Sequence, residues 1–253
     1  MSDSFYIPES AMVIMAHADD AEFACAGTVA RWTRAGARVT YTICTDGGAG
    51  INDAGITRAE ASKIRKREQC AAAEILGVEE VVFLDEPDGL LVNTLALRKK
   101  IVREIRRFRP EVAIVLDPTP IFVGENYLNH PDHRAAGTAA LDAIYPAAGK
   151  AILYPELKEE GIFPHKLRKV YVAGWDQKDL FVDISETIDL KIKAIQAHES
   201  QTKKWDWDVE ERFKARAAEL GQGKEMDYAE SFRVVTLMDE ETWEATKGRV
   251  TPT

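Results

Sequence analysis

Met12-Val13-Ile14-Met15-Ala16-His17-Ala18-Asp19-Asp20-Ala21-Glu22 is the stretch from which the rest of the chain is read. Its apolar start, followed by a helix-like pattern over 22–34, predicts a buried strand that ends near residue 16 and turns into a helix. His17, Asp19 and Asp20 then lie at the carboxyl end of a strand, where open α/β sheets bind their ligands. One imidazole and two carboxylates this close together can divide the work. His17 and Asp20 turn to one metal ion, and Asp19 stays free beside it as a base. The competing reading makes Asp19 and Asp20 caps of the helix.

Outward from that stretch the pattern repeats. Further apolar, β-branched runs at 39–44, 81–84 and 112–116 predict strands, and 58–76 and 94–108 predict amphipathic helices between them. Short strands alternating with helices imply an α/β fold, a mostly parallel sheet with helices on both faces. The loops that begin at 16, 45, 85 and 117 should therefore converge on one edge. Residues 121–129 have no period and predict a loop over that edge. His130-Pro131-Asp132-His133 opens the next helix, with proline suited to its first turn. Beyond Pro146 the pattern predicts strands at 169–173, 180–184 and 232–237 and helices at 187–198 and 205–220. One domain is expected over 1–253, with a core at 1–150 and an elaboration at 151–253.

A net charge of −9 argues against a nucleic-acid partner, which needs clustered Lys and Arg. The basic stretches at 63–67 and 98–109 are interleaved with apolar residues and read as solvated helix faces. The chain opens without a signal-like segment, and no run approaches the ~18 apolar residues of a membrane span. A cytoplasmic location is expected. Cys25, Cys44 and Cys70 form no CxxC pair and read as small buried residues rather than a disulfide or zinc framework.

Of the five histidines, His17, His130 and His133 fall in the two polar motifs. Two histidines three apart at a helix start reach one ion less easily than an i, i+4 pair, so His133 is assigned to the metal and His130 left free. The set His17, Asp20 and His133, without thiolate, suits zinc, although iron, cobalt or nickel can use it too. Asp19 would deprotonate the water that attacks a carbonyl, and His130 would stabilise the oxyanion or protonate the leaving amine. Asp132 would fix the tautomer of His130 or raise its pKa. The structural alternative for His130 and Asp132 is a proline-initiated helix cap.

These residues resemble a known family. Ala16-His17-Ala18-Asp19-Asp20-Ala21-Glu22-Phe23, with Gly27-Thr28 behind it, is similar to the A-H-P-D-D signature of the LmbE-like, or PIG-L, metal-dependent deacetylases. Asn129-His130-Pro131-Asp132-His133-Arg134 is similar to their second signature. An ordered series continues through Thr45-Asp46-Gly47, Ile64-Arg65 with Glu68, Pro87-Asp88-Gly89, His198-Glu199-Ser200-Gln201 and Tyr228-Ala229-Glu230-Ser231-Phe232-Arg233. The resemblance implies a Rossmann-like fold and zinc-dependent hydrolysis of an N-acetyl group, commonly on N-acetylglucosamine. It implies His17, Asp20 and His133 as ligands, Asp19 as base, His130 as oxyanion stabiliser or acid, and Arg65 and Asp88 as contacts to substrate hydroxyls.

Ala18 replaces the usual proline, and Ala24 and Ala26 stand where glycines are common; no functional group is lost. His198 either lines the pocket or caps its helix. Length and C-terminal pattern resemble the branch that includes diacetylchitobiose deacetylases, whose members are often homo-oligomers. The expected partner is a small amino-sugar substrate. The alternatives are hydrolysis of a non-sugar amide and a metal- or ligand-binding protein without turnover. No GxGxxG follows the first strand, which disfavours a dinucleotide site.

Overall fold

A computed structural model describes residues 6–174 and 178–247. The predicted alternation is present: β1 (Ser10–Met15), α1 (Asp20–Arg34), β2 (Arg38–Thr45), α2 (Arg58–Ile75), β3 (Glu80–Glu86), α3 (Leu95–Phe108) and β4 (Val112–Leu116). A small hairpin, β5 (Phe122–Val123) and β6 (Tyr127–Leu128), leads into α4 (Pro131–Asp142), a π-helical segment and the short α5 (Glu156–Glu159). The C-terminal part adds β7 (Lys169–Ala173), β8 (Leu180–Asp183), α6 (Ile188–Gln196), α7 (Glu199–Thr202), α8 (Val209–Gly221), β9 (Ala229–Thr236) and α9 (Glu240–Thr246).

The main sheet runs β3-β2-β1-β4-β7-β9-β8. The first five of these strands are parallel, and β9 lies antiparallel between β7 and β8. From β1 the chain builds outward through β2 to β3 and then returns to β4 on the other side. That reversal opens a crevice beyond the carboxyl ends of β1 and β4.

Both faces of β1 are apolar because both are covered. Val13 and Met15 pack with Val29, Trp32 and Ile43 on one side of the sheet, and Met12 and Ile14 pack with Ile101, Ile105 and Ala136 on the other. Alternate residues of a strand point to opposite faces, so a run buried on both sides has no polar interruption. Among the described residues no helix is long and apolar enough to cross a membrane.

The structure departs from the expectation at several points. α1 begins at Asp20, because the Asp19 carbonyl already accepts the N–H groups of Glu22 (3.0 Å) and Phe23 (3.1 Å). α8 begins at Val209 rather than at Trp205, since the Asp208 carboxylate caps it by accepting the Glu211 N–H at 2.8 Å. Trp205 and Trp207 therefore lie in the turn before the helix. The segment expected as a plain loop over 121–129 contains the β5–β6 hairpin.

The C-terminal part is joined to α1 by a buried ion pair. Lys191 Nζ donates to Glu230 at 2.6 Å and to the Phe23 carbonyl at 2.9 Å. The Glu230 carboxylate also accepts the N–H groups of Gly27 (2.9 Å) and Thr28 (2.7 Å). Gly27 permits the close packing: a Cβ there would sit 2.7 Å from Ile184 Cβ.

Candidate active site

The turn after β1 sets the site. Asp19 occupies the N-cap position of α1 with φ +94°, a left-handed conformation that costs a non-glycine residue free energy and persists only where its surroundings hold it. Its N–H donates to Gln69 Oε1 of α2 at 2.9 Å. Its side chain makes no cap bond; Asp19 Oδ2 instead accepts from Arg65 Nη2 at 3.2 Å. Asp20 bends the other way, and its Oδ2 accepts the His17 N–H at 2.8 Å.

The second motif approaches from α4. His130 is the N-cap, with Nδ1 accepting the Asp132 N–H at 3.2 Å. The cap reading of His130 is thus correct for one ring nitrogen and leaves the other for a ligand. The imidazoles of His17, His130 and His133 form a triangle with ring centroids 4.9, 5.1 and 5.3 Å apart. The Asp132 carboxylate acts on His130 only through its charge, which works to raise the His130 pKa, and it makes its hydrogen bond to His17 instead: Oδ2 is 3.1 Å from Nε2. It also accepts the N–H groups of Gly89 (2.7 Å) and Leu91 (3.1 Å). Asp88 Oδ1 is 3.3 Å from the same His17 nitrogen, and Asp88 Oδ2 accepts the Ala49 N–H at 2.9 Å. Arg65 is buried under Gly50, where a Cβ would meet Nη1 at 2.7 Å; its Nη2 donates to the Ala18 carbonyl as well as to Asp19, and its buried Nε has no partner among the described residues. It is not the exposed helix charge that the sequence also allowed.

Charge in the site is polarised. Burial opposes a proton on His17, but the hydrogen bonds to Asp132, Asp20 and Asp88 outweigh it and push its pKa up to about 12. Burial likewise works against ionisation of Asp20, yet His133 and His17 hold its carboxyl well below the usual range. Burial pushes Asp19 up to about 6, against the pull of Arg65. Burial and the nearby His17 lower the pKa of His130. Neutral His130 whose Nδ1 accepts a hydrogen bond carries its proton on Nε2 and offers it as a donor.

The donor set fits a divalent cation. The Asp20 carboxylate spans the two histidines, with Oδ2 3.5 Å from His17 Nδ1 and Oδ1 3.1 Å from His133 Nε2. Two bonds of about 2.0–2.1 Å at a tetrahedral angle separate their donors by about 3.3 Å. His17 Nε2, turned away from Asp20, meets carboxylates, as the second nitrogen of a ligating imidazole commonly does. Two clusters, neither of which includes Asp20, hold donor atoms within 4.8 Å of one another, His17 with His130 and His133, and His17 with Asp88 and Asp132. In these, His130 Nδ1 and both carboxylates already take backbone N–H bonds. Asp20 Oδ2, like those carboxylates, accepts a backbone N–H, that of His17; what sets Asp20 apart is that it faces His17 and His133 together.

A layer behind Asp19 escaped the sequence reading. Gln69 Nε2 donates to both oxygens of Glu22 at 3.1 and 3.2 Å, and His198 Nε2 lies 3.1 Å from Glu22 Oε2. All three are wholly buried. His198 thus neither lines the cavity nor caps α7 with its side chain; it closes a chain that runs through Glu22 and Gln69 to the Asp19 backbone. Glu68 adds a second tie by accepting from Ser200 N and Oγ, both at 2.7 Å. The sequence signal was the density of polar residues at 198–201 and 68–69, which spacing alone does not pair.

The family model described as PIG-L, GlcNAc-PI de-N-acetylase, matches residues 12–144, which contain both motifs. The chain is 32% identical over 237 residues to a diacetylchitobiose deacetylase of Thermococcus kodakarensis, covering 93% of this chain and 86% of that one. The solved N,N'-diacetylchitobiose deacetylase of Pyrococcus horikoshii superposes with a TM-score of 0.81 at 25% identity, over 90% of this chain and 84% of that one. GalB, the 4-carboxy-2-hydroxymuconate hydratase of Pseudomonas putida, shares the fold with a TM-score of 0.74 at 24% identity, over 91% and 98% of the two chains.

Proposed function

The chain belongs to the PIG-L (GlcNAc-PI de-N-acetylase) family, and on that premise we propose that it is a metal-dependent N-deacetylase of an N-acetylglucosamine-type substrate. The observation that carries this reading is the split at the β1 turn. Asp20 faces His17 and His133, while its neighbour Asp19 is turned aside to Arg65.

His17, Asp20 and His133 would hold the cation, zinc by the chemistry of its nitrogen and oxygen donors. A divalent ion there supplies Lewis acidity toward water and toward the amide carbonyl. Asp132 and Asp88 fix the His17 ring so that Nδ1 faces Asp20. Asp19, with its carboxyl raised by burial, takes a proton from the attacking water and returns it to the leaving nitrogen. Arg65 keeps that carboxylate from turning toward the ligand set. His130 Nε2–H donates to the carbonyl oxygen as it gains charge. Asp88 and Arg65 are the groups on this side for substrate hydroxyls. The amine half of the substrate then lies toward Asp19 and Asp88.

Self-association belongs to the same proposal. Phe122 and Leu128 on the β5–β6 hairpin are 75% and 63% exposed, a contact of the kind subunits bury. Size-exclusion chromatography of wild type against Phe122→Ser checks it, with a shift to smaller size expected.

The hydratase that shares the fold makes chemistry the deciding test. Acetate release is measured from N-acetylglucosamine, diacetylchitobiose and an N-acetylglucosaminyl-inositol, with chelated and zinc-restored protein in parallel. Zinc-dependent release from one of them is expected. Silence across the panel with metal bound would move the reading to a non-sugar amide or to binding without turnover.

A further inference from the structure

A cavity of about 520 Å³ opens directly from Asp20 and His133 on the side away from Asp19. Pockets of roughly 300–1,000 Å³ hold whole drug-sized ligands, so an acetyl methyl would leave most of this one unfilled. One wall of it is a cluster of four rings. Phe23 stacks on Phe213 at 5.5 Å and 4°, and Trp205 stacks on Trp207 at 4.3 Å and 14°. The pairs join through Phe23–Trp205 at 6.2 Å and Trp207–Phe213 at 6.1 Å. Phe23 follows Asp20 by three residues in α1 and therefore stands on the same helix face. The wall begins at the candidate ligand itself.

Apart from Asp20 and His133, the charged groups of the lining, Lys191, Glu230, Asp117, Arg212 and Arg216, each interact with other groups of the protein. Lys191 and Glu230 pair with each other and with the α1 backbone. Asp117 accepts from Thr119, and Arg212 lies over the Trp207 ring at 4.6 Å. An apolar group is what such a lining takes up. Asp19, Arg65, Asp88 and His130 do not line this cavity. If the amine half of an amide lies toward Asp19 and Asp88, the acyl half lies here.

We propose that this cavity is an acyl subsite, and that the enzyme hydrolyses N-acyl amino sugars whose acyl group is larger than acetyl, aliphatic or aromatic. The inference rests on the proposed deacetylase reading for the direction of the amide. The reaction is the same hydrolysis: water adds across the C–N bond, and the longer carboxylic acid leaves with the free amine.

The test has two arms on zinc-loaded protein. In the first, kcat/KM is measured for N-acetyl-, N-butyryl-, N-hexanoyl- and N-phenylacetyl-glucosamine. A rise of about tenfold or more from acetyl to hexanoyl is expected, below a ceiling of roughly 10²-fold for four further buried methylenes. A fall with chain length, acetyl being best, overturns the proposal. In the second, acetate, hexanoate and phenylacetate are titrated calorimetrically, which needs no turnover. The longer acids should bind about tenfold tighter than acetate, and Trp207→Leu should narrow that ratio; equal affinities overturn the proposal. Tight hexanoate binding without hydrolysis of any N-acylglucosamine leaves the subsite standing and removes the amino-sugar reading. Acetate release with no length preference does the reverse.

Discussion

The two walls of the site, one around Asp19 and His17 and one around the cavity beyond Asp20 and His133, are built differently. On the β1–α2–α4 side every functional group is held by at least one named hydrogen bond: Asp19 by Gln69 and Arg65, His17 by Asp132 and Asp88, His130 by the Asp132 backbone. On the α8 side the cavity is bounded by four stacked rings, and its buried ion pair faces α1. Directional bonds fix atoms to fractions of an ångström, whereas ring packing fixes shape and leaves orientation free. The first wall is suited to chemistry that fails with small misplacement, and the second to selecting what the chemistry is done on.

If that division is right, substitutions in the first wall should act on metal or rate, and those in the second on stability or substrate preference. His133→Ala should lose the metal and with it all measurable turnover. His130→Ala should retain metal by elemental analysis and lose on the order of 10²-fold or more in kcat. Equal metal loss in both would mean that the two histidines have exchanged roles. In the second wall, Lys191→Met leaves Glu230 charged and buried, and should cost about 3–5 kcal/mol in chemical denaturation. A milder loss would mean that the Gly27 and Thr28 N–H groups alone hold that carboxylate.

Gln69→Leu is the finer test, because Gln69 touches no substrate. It leaves the Asp19 N–H without its acceptor, and kcat should fall by about tenfold with KM and metal content unchanged. A change in KM alone would assign Gln69 to binding instead. The smallest expected effect is Trp205→Leu, which should change acetate release from N-acetylglucosamine by only a few fold. A loss as large as that of His130→Ala would end the distinction between the walls.

The first wall was largely legible in the sequence because its pieces are local. An apolar run ending in His17-Ala18-Asp19-Asp20, and His130-Pro131-Asp132-His133 at a helix start, place their side chains at chain turns that periodicity alone locates. Partners far apart in the chain were not legible. The carboxylate of Asp132 sits beside His17, 115 residues away, and His198 meets Glu22 across 176. In the second wall the start of the helix was misplaced for a local reason: Trp205 and Trp207 were expected on a charged helix, and the Asp208 cap starts that helix after them. Rings ahead of a helix can turn inward together, as this pair does.

Asp19→Asn tests the central claim most directly, since it removes a base and keeps the shape. Metal content and acetate release are measured on the same preparation, with wild type alongside. The account predicts a full complement of metal and a fall in kcat of on the order of 10²-fold or more. Undiminished turnover, or loss of the metal together with the rate, would contradict it.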